Sequence, residues 1–182
     1  MRFCVGFFVF FFLFFNVANA QIVVSEIMYD LEGSDSGREW IEIQNVGLES
    51  VDLSSWKFFE NDTNHKLVIS QGSESVSPDF FAIIADKPDL FLADFPSFSG
   101  TLFDSSFSLK NSGETLIIRD GDLSDVDTVN YNTELGGRGD GNSLQLVGGV
   151  FTSQAPTPGE ENIHEESVSV EVVENESSSV QE

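Results

Sequence analysis

The sequence predicts an all-β domain, a sandwich or a barrel, interrupted by one short helical turn. Three observations predict it. From residue 22 to about residue 159, β-branched and aromatic residues alternate with polar ones in short runs; clusters of Gly, Asn, Asp and Ser separate the runs; and a single stretch carries helix-start chemistry. Many short strands at this spacing bury their apolar faces only against a second layer or by closing on themselves.

Ile22-Val23-Val24-Ser25-Glu26-Ile27-Met28-Tyr29 opens the series as a strand. Residues 39–45 alternate with period two, which sets Trp40 with Glu42 on one face and Glu39 with Ile41 and Ile43 on the other. Further strands are predicted over 56–60, 65–69, 80–85, 115–119, 126–131 and 143–147. Between them lie residues 32–37, Asn61-Asp62-Thr63-Asn64, Asn111-Ser112-Gly113 and Asp120-Gly121-Asp122, which tolerate positive φ or bond their own backbone. The exception is Pro88 to Phe95, where a short helical turn is expected with Asp86 or Lys87 at the cap and Pro88 in the first turn. Its Leu90, Phe91 and Phe95 are expected to plug one end of the fold.

The two ends of the chain differ from this middle. Arg2, an apolar run over residues 5–15 and Val17-Ala18-Asn19-Ala20 have the three parts of a signal peptide, so residues 1–20 are expected to be cleaved and the domain to span 21–159. Without that cleavage the leader itself would hold the chain at a membrane. The one cysteine, Cys4, falls in the leader, so a mature chain has no disulfide and its stability comes from its core. Residues 160–182 hold Glu, Ser and Val but no Lys, Arg or aromatic residue, and are expected to form an acidic disordered tail.

Charge excludes one class of partner. Asp and Glu number 31 against 8 Lys and Arg, a net charge of −23, and loss of Arg2 with the leader makes it −24. Nucleic-acid binding draws on clustered cations, and the seven that remain are scattered, so direct contact with nucleic acid is not expected. Cations or basic partners suit this field.

The order of three segments resembles a known family. Ser25-Glu26-Ile27-Met28-Tyr29-Asp30, Gly37-Arg38-Glu39-Trp40-Ile41-Glu42-Ile43-Gln44-Asn45 and Val51-Asp52-Leu53-Ser54-Ser55-Trp56 are similar to the lamin tail domain. The likeness continues through Leu109-Lys110-Asn111-Ser112-Gly113-Glu114, residues 126–131, Gly141-Asn142-Ser143-Leu144-Gln145 and residues 157–162. The resemblance implies an immunoglobulin-like antiparallel β-sandwich, of the stand-alone exported type found in prokaryotes. It implies a binding or tethering unit with no catalytic residues, and since no heptad rod precedes the domain here, a filament role does not carry over.

The residues support a non-enzymatic reading. His65 is the one histidine expected inside the domain; beside Asn64 and Lys66 it is expected to be a solvated strand-edge side chain. Trp40 or Trp56 is expected to pack across the two sheets with its indole N–H bonded. One of Glu39 and Glu42 is expected to bond a neighbouring loop, through Arg38 or Arg119. The carboxylates Asp120, Asp122, Asp125 and Asp127 share one connection, for which a plain hairpin is the favoured reading and weak calcium binding the second. Arg138-Gly139-Asp140 spells an adhesion tripeptide at a position where turn residues are expected in any case.

The expected function is therefore a secreted or cell-surface module, without catalysis, that recognises an extracellular or envelope protein or a glycan. It would meet a membrane only through an uncleaved leader or another protein. A calcium-assisted accessory of an extracellular hydrolase, such as a nuclease or phosphatase, is the second reading. Within recognition, an edge strand pairing with an extended segment competes with loops that grip a ligand. A glycan site would present Trp or Tyr on the exterior.

Overall fold

The computed structural model describes residues 22–162. The leader expected at 1–20 and the tail from residue 163 onward lie outside the described residues. Residues 160–162, expected to begin the tail, belong with the domain: the Asn162 amide donates to the carbonyls of Ser25 at 2.8 Å and Leu146 at 3.0 Å.

From the N-terminus the strands are β1 (Ile22–Met28), β2 (Trp40–Asn45), β3 (Val51–Asp52), β4 (Lys57–Glu60), β5 (Thr63–Lys66), β6 (Val68–Gln71), β7 (Ser75–Val76) and β8 (Phe81–Ala85). Helix α1 (Pro88–Asp94) follows, then β9 (Thr101–Asp104), β10 (Gly113–Arg119), β11 (Asp125–Asn132), a 3-10 turn at Thr133–Leu135, β12 (Ser143–Val147) and β13 (Val150–Gln154). One sheet runs β13-β12-β1-β2-β8-β9-β6, the facing sheet runs β11-β10-β4-β5, and β3 pairs with β7 in a small ribbon. This is a β-sandwich, one of the two architectures that the alternation allowed and the one that the family resemblance implied.

The core between the sheets follows from parity. Ile22 and Val24 face it, and so do Ile27 and Tyr29, although these pairs have opposite parity. A bulge between Val24 and Glu26 absorbs the difference by inserting one residue into β1. Both sides of the bulge can thus supply apolar residues to one face, and Ser25 and Glu26 are turned toward the other.

Two departures from the expected antiparallel sandwich matter. The segment predicted as one strand over 65–69 is two strands in different sheets, because the chain leaves β5 at buried Leu67 and crosses to pair β6 with β9. Secondly, β8 and β9 run parallel, with Ala82 opposite Thr101 and Ala85 opposite Asp104. Parallel neighbours need a crossover, and α1 provides it. Lys87 caps α1 and Pro88 sits in its first turn, as the sequence predicts. The helix covers the outer face of the large sheet and does not plug an end: Phe91 joins Met28, Leu31, Trp40, Ile83, Ala85 and Leu102 in a second core, while Leu90 stays partly exposed.

Trp40 belongs to this outer core. It is fully buried, meets Phe91 and Phe95 edge-on at 5.7 Å between centroids, and its Nε1 has no hydrogen-bond partner among the described residues. Trp40 thus departs from the sequence expectation on both counts: it packs outside the two sheets, and its indole N–H is unbonded. Trp56 is the half-buried tryptophan at the margin of the inter-sheet core.

Residues 105–110 lead from the large sheet to the small one without strand pairing, so their N–H groups need acceptors. Carboxylates supply them. Asp86 accepts from Phe107 N at 3.4 Å, Glu39 from Leu109 N at 3.0 Å and Glu114 from Lys110 N at 2.8 Å, and Glu60 accepts from the backbone of Ser108. Tyr131 Oη closes the set by donating to the Lys110 carbonyl at 2.9 Å.

The β4–β5 hairpin turns through Asn61 and Asp62, at φ 44° and 59°. Such a two-residue turn favours Asn-Gly, because glycine holds positive φ without a Cβ clash. Asp62→Gly is expected to stabilise the protein by about 0.5 kcal/mol and raise Tm by about 2 °C. A thermal melt in which the variant falls below the parent would contradict the turn assignment.

Candidate binding surface

The residues singled out from sequence go to separate structural tasks. Asp120 accepts the N–H groups of Asp122 at 2.9 Å and Ser124 at 2.8 Å within the β10–β11 turn. Asp125 pairs with Arg119 at 2.7 Å, and Asp127 reaches across to accept from Val24 N at 2.8 Å. Among the described residues no three His, Cys, Asp or Glu side chains are gathered in a way that could hold a metal ion. Arg138-Gly139-Asp140 is an exposed turn, in which Asp140 caps Asn142 N at 3.0 Å and Gly139 N donates to the Asp30 carbonyl.

His65 lies on β5, an edge strand, yet its side chain is not solvated. It points inward beside Phe58 and Phe107, with Nε2 3.0 Å from the buried Glu60 carboxylate. Cross-strand pairing opposite buried Phe58 puts it on the core-facing side, which the short 63–66 text does not reveal.

Glu39 and Glu42 both bond loop backbone, and neither does so through an arginine. Arg38 instead grips Asp94, with Nε 2.7 Å and Nη2 3.0 Å from its two oxygens, and Arg119 takes Asp125. Glu42 stands directly across from Glu26 on the outer face of the sheet, both fully buried. A strap formed by residues 155–162 lies over them.

The strap hangs on these two carboxylates. Glu42 accepts from Gly159 N at 2.6 Å and from Ser25 Oγ at 2.8 Å. Glu26 accepts from Thr157 N at 3.2 Å, from Thr157 Oγ1 at 3.3 Å and from Ser143 Oγ. Gln145 adds donations to the Ala155 carbonyl at 2.6 Å and to Thr157 Oγ1 at 3.0 Å. Loss of water on burial pushes the Glu42 carboxyl up to about 8, with Glu26 beside it adding to the rise. Burial likewise raises Glu26, and it lifts Glu39 to about 8. At neutral pH Glu39 and Glu42 are thus held largely protonated, acting as hydrogen-bond anchors and not as charges.

The far end of the strap forms one wall of an open trough. A basin of about 590 Å³ is lined by Ser73, Ser75 and Ser77, by Ser97, Ser99 and Thr101, and by Pro158, Gly159 and Glu160; Thr101 Oγ1 donates to the Ser73 carbonyl at 3.4 Å and ties the first two segments together. A second basin of about 360 Å³ continues from it past Phe95 and Pro96, sharing Ser97, Phe98, Pro158 and Glu160. Gly159 is required here. Its φ is +85°, and a Cβ would stand 3.0 Å from the Phe98 ring, so a larger residue would lift the strap off that wall.

Phe80 stands at the margin of the larger basin with 66% of its surface exposed, and it is the one exposed aromatic side chain among the described residues. Its position is held by backbone. Asn45 N donates to the Phe80 carbonyl at 3.0 Å, Asp79 N to the Asn45 carbonyl at 2.8 Å, and Asp79 sits at φ 65°. The buried Asn45 amide in turn donates to the carbonyls of Val76 and Glu49, each at 2.8 Å.

No motif in the sequence pointed to the trough, because its walls come from three segments far apart in the chain. The faint signal was the alternation of serine over 73–77 and of hydroxyl residues over 97–101. β5 and β11 carry charged residues at their sheet's ends and β6 is broken by a register shift, whereas β13 pairs with β12 over five residues without a bulge, a charge or a proline.

In comparisons with known proteins, the family model for the Lamin Tail Domain matches residues 16–133. The match stops short of β12 and β13, which the structure places in the same sheet as β1. Curated proteins gave no match.

Proposed function

This chain belongs to the lamin tail domain family, an immunoglobulin-like and non-catalytic domain family, and from that premise we propose that it is a secreted or cell-surface recognition module without enzymatic activity. Its ligand is an extracellular or envelope protein, gripped in the trough beside the strap. The observation that carries this reading is the coincidence of two features, a groove of about 590 Å³ and, on its lining, the one aromatic ring that the described residues leave exposed, Phe80. Protein is favoured over glycan because the amphipathic rings that grip sugars are turned inward: Trp40, Tyr29 and Tyr131 are buried and Trp56 is half-buried.

The uncharged β13 edge supports a second reading, in which a partner segment adds a strand to the large sheet. One experiment separates the two. Photo-reactive p-benzoylphenylalanine is placed in the full chain at Phe80, at Val150 on β13 or at Leu123 on the acidic turn, all exposed positions. The chain is then irradiated with the extracellular proteins of its source. A covalent adduct from position 80 alone is expected. An adduct from position 150 alone moves recognition to the edge, and equal adducts from all three positions, or none, would end the recognition reading.

A further inference from the structure

Neither basin of the trough is lined by Lys, Arg or His. Glu160 lines both of them, Asp94 lines the smaller one, and Glu74 and Asp79 lie on the segment that supplies the Ser73–Ser77 wall. Asp94 is already matched by Arg38, so among the lining residues the unmatched charge is that of Glu160, with Glu74 and Asp79 next to the lining in sequence and the whole chain at a net charge of −23. The two basins lie side by side along Ser97, Phe98, Pro158 and Glu160, which line both, and an elongated occupant can reach both where a compact one cannot. The exposed Phe80 ring offers a face on which a guanidinium can stack, and the chain already makes that contact once, where Arg119 lies 3.8 Å over the Phe59 ring.

We propose that the trough takes an extended, arginine-bearing segment of the partner protein, one arginine stacking on Phe80 with Glu160 beside it and the hydroxyl walls meeting the segment's main chain. The proposal rests on the reading of the trough as the recognition site and adds the chemistry of what it recognises. An anionic segment is repelled by the same carboxylates. The chain's own residues 163–182, with six Glu and no cation, have the wrong sign to fill it.

The test uses the full chain and three labelled probes at near-physiological salt: a nonapeptide alternating Arg and Ser, its counterpart alternating Glu and Ser, and chitohexaose. The Arg peptide alone is expected to bind, with affinity falling tenfold or more in Phe80→Ala and threefold or more in Glu160→Gln. Asp122→Asn, which removes one charge from the exposed β10–β11 turn, is expected to leave it unchanged. Arg-peptide binding that ignores Phe80→Ala, or that falls equally in Asp122→Asn, reports the overall charge and overturns the proposal. Binding of chitohexaose in its place, or of no probe, overturns it too. The photo-adduct at position 80 is read independently, so a wrong partner chemistry is told apart from a wrong site.

Discussion

Raising the pH from about 5 to about 9 is expected to destabilise the protein by several kcal/mol and lower its Tm by about 10–20 °C. Glu39 and Glu42 have folded-state values near 8, against 4.5 when solvated, and Glu26 and Glu60 are raised as well. Between those values the folded chain holds protons that the unfolded chain has released. Stability is therefore full below about 4.5, for this contribution, and is lost as the pH rises through the folded values.

One unit of pKa corresponds to about 1.4 kcal/mol, so a single group moved from 4.5 to 8 accounts for on the order of 5 kcal/mol. Glu26 and Glu42 are cross-strand neighbours and titrate together, so their contributions are not summed. The groups facing that pair are known: Gln145 from β12, Ile83 opposite Glu42 on β8, and Thr157 and Gly159 from the strap, none of which can neutralise a second negative charge. Glu39→Gln with Glu42→Gln keeps an acceptor at each site and should flatten the profile. A Tm level or rising across this range in the parent chain would show that the carboxylates are ionised and solvated.

The second large effect is expected at Trp40. Trp40→Ala should cost about 3–5 kcal/mol, measured by denaturant unfolding, because the fully buried ring fills the outer core beneath α1. Trp40→Phe should cost no more than about 2 kcal/mol, since the indole N–H has no partner to lose and only volume is removed. Amide exchange over α1 should rise in the alanine variant, because Phe91 of the helix and Phe95 just after it both pack edge-on against that ring. Equal costs for the two substitutions would mean that the indole nitrogen, not the packing, secures the helix.

Alternation made the long strands legible: β1, β2, β8, β10, β11 and β12 all appear within a residue or two of their expected bounds. What escaped was decided by contacts distant in sequence. β3, β7 and β9 are two to four residues long and exist only because a partner is present, and β13 follows a Gly148-Gly149 turn with little apolar pattern of its own. The crossing at Leu67 is invisible to a period-two reading, because the residues on either side alternate alike while belonging to different sheets. Glu39 and Glu42 show the same limit. Their placement on opposite faces follows from parity, but their acceptors' role depends on Leu109 and Gly159, 70 and 117 residues away.

The Asn162 side chain, bonded to the Ser25 carbonyl, brings the last described residue to within a few residues of the first. Such a domain enters and leaves at one point on its surface. Spliced into a loop of a larger host, it would ask for little more room than a tight turn, and the host's two halves would keep their spacing. The domain is thus shaped to be carried as a side branch as readily as to stand at the end of a chain, with its trough, walled by Pro158 and Glu160, close to the point of attachment.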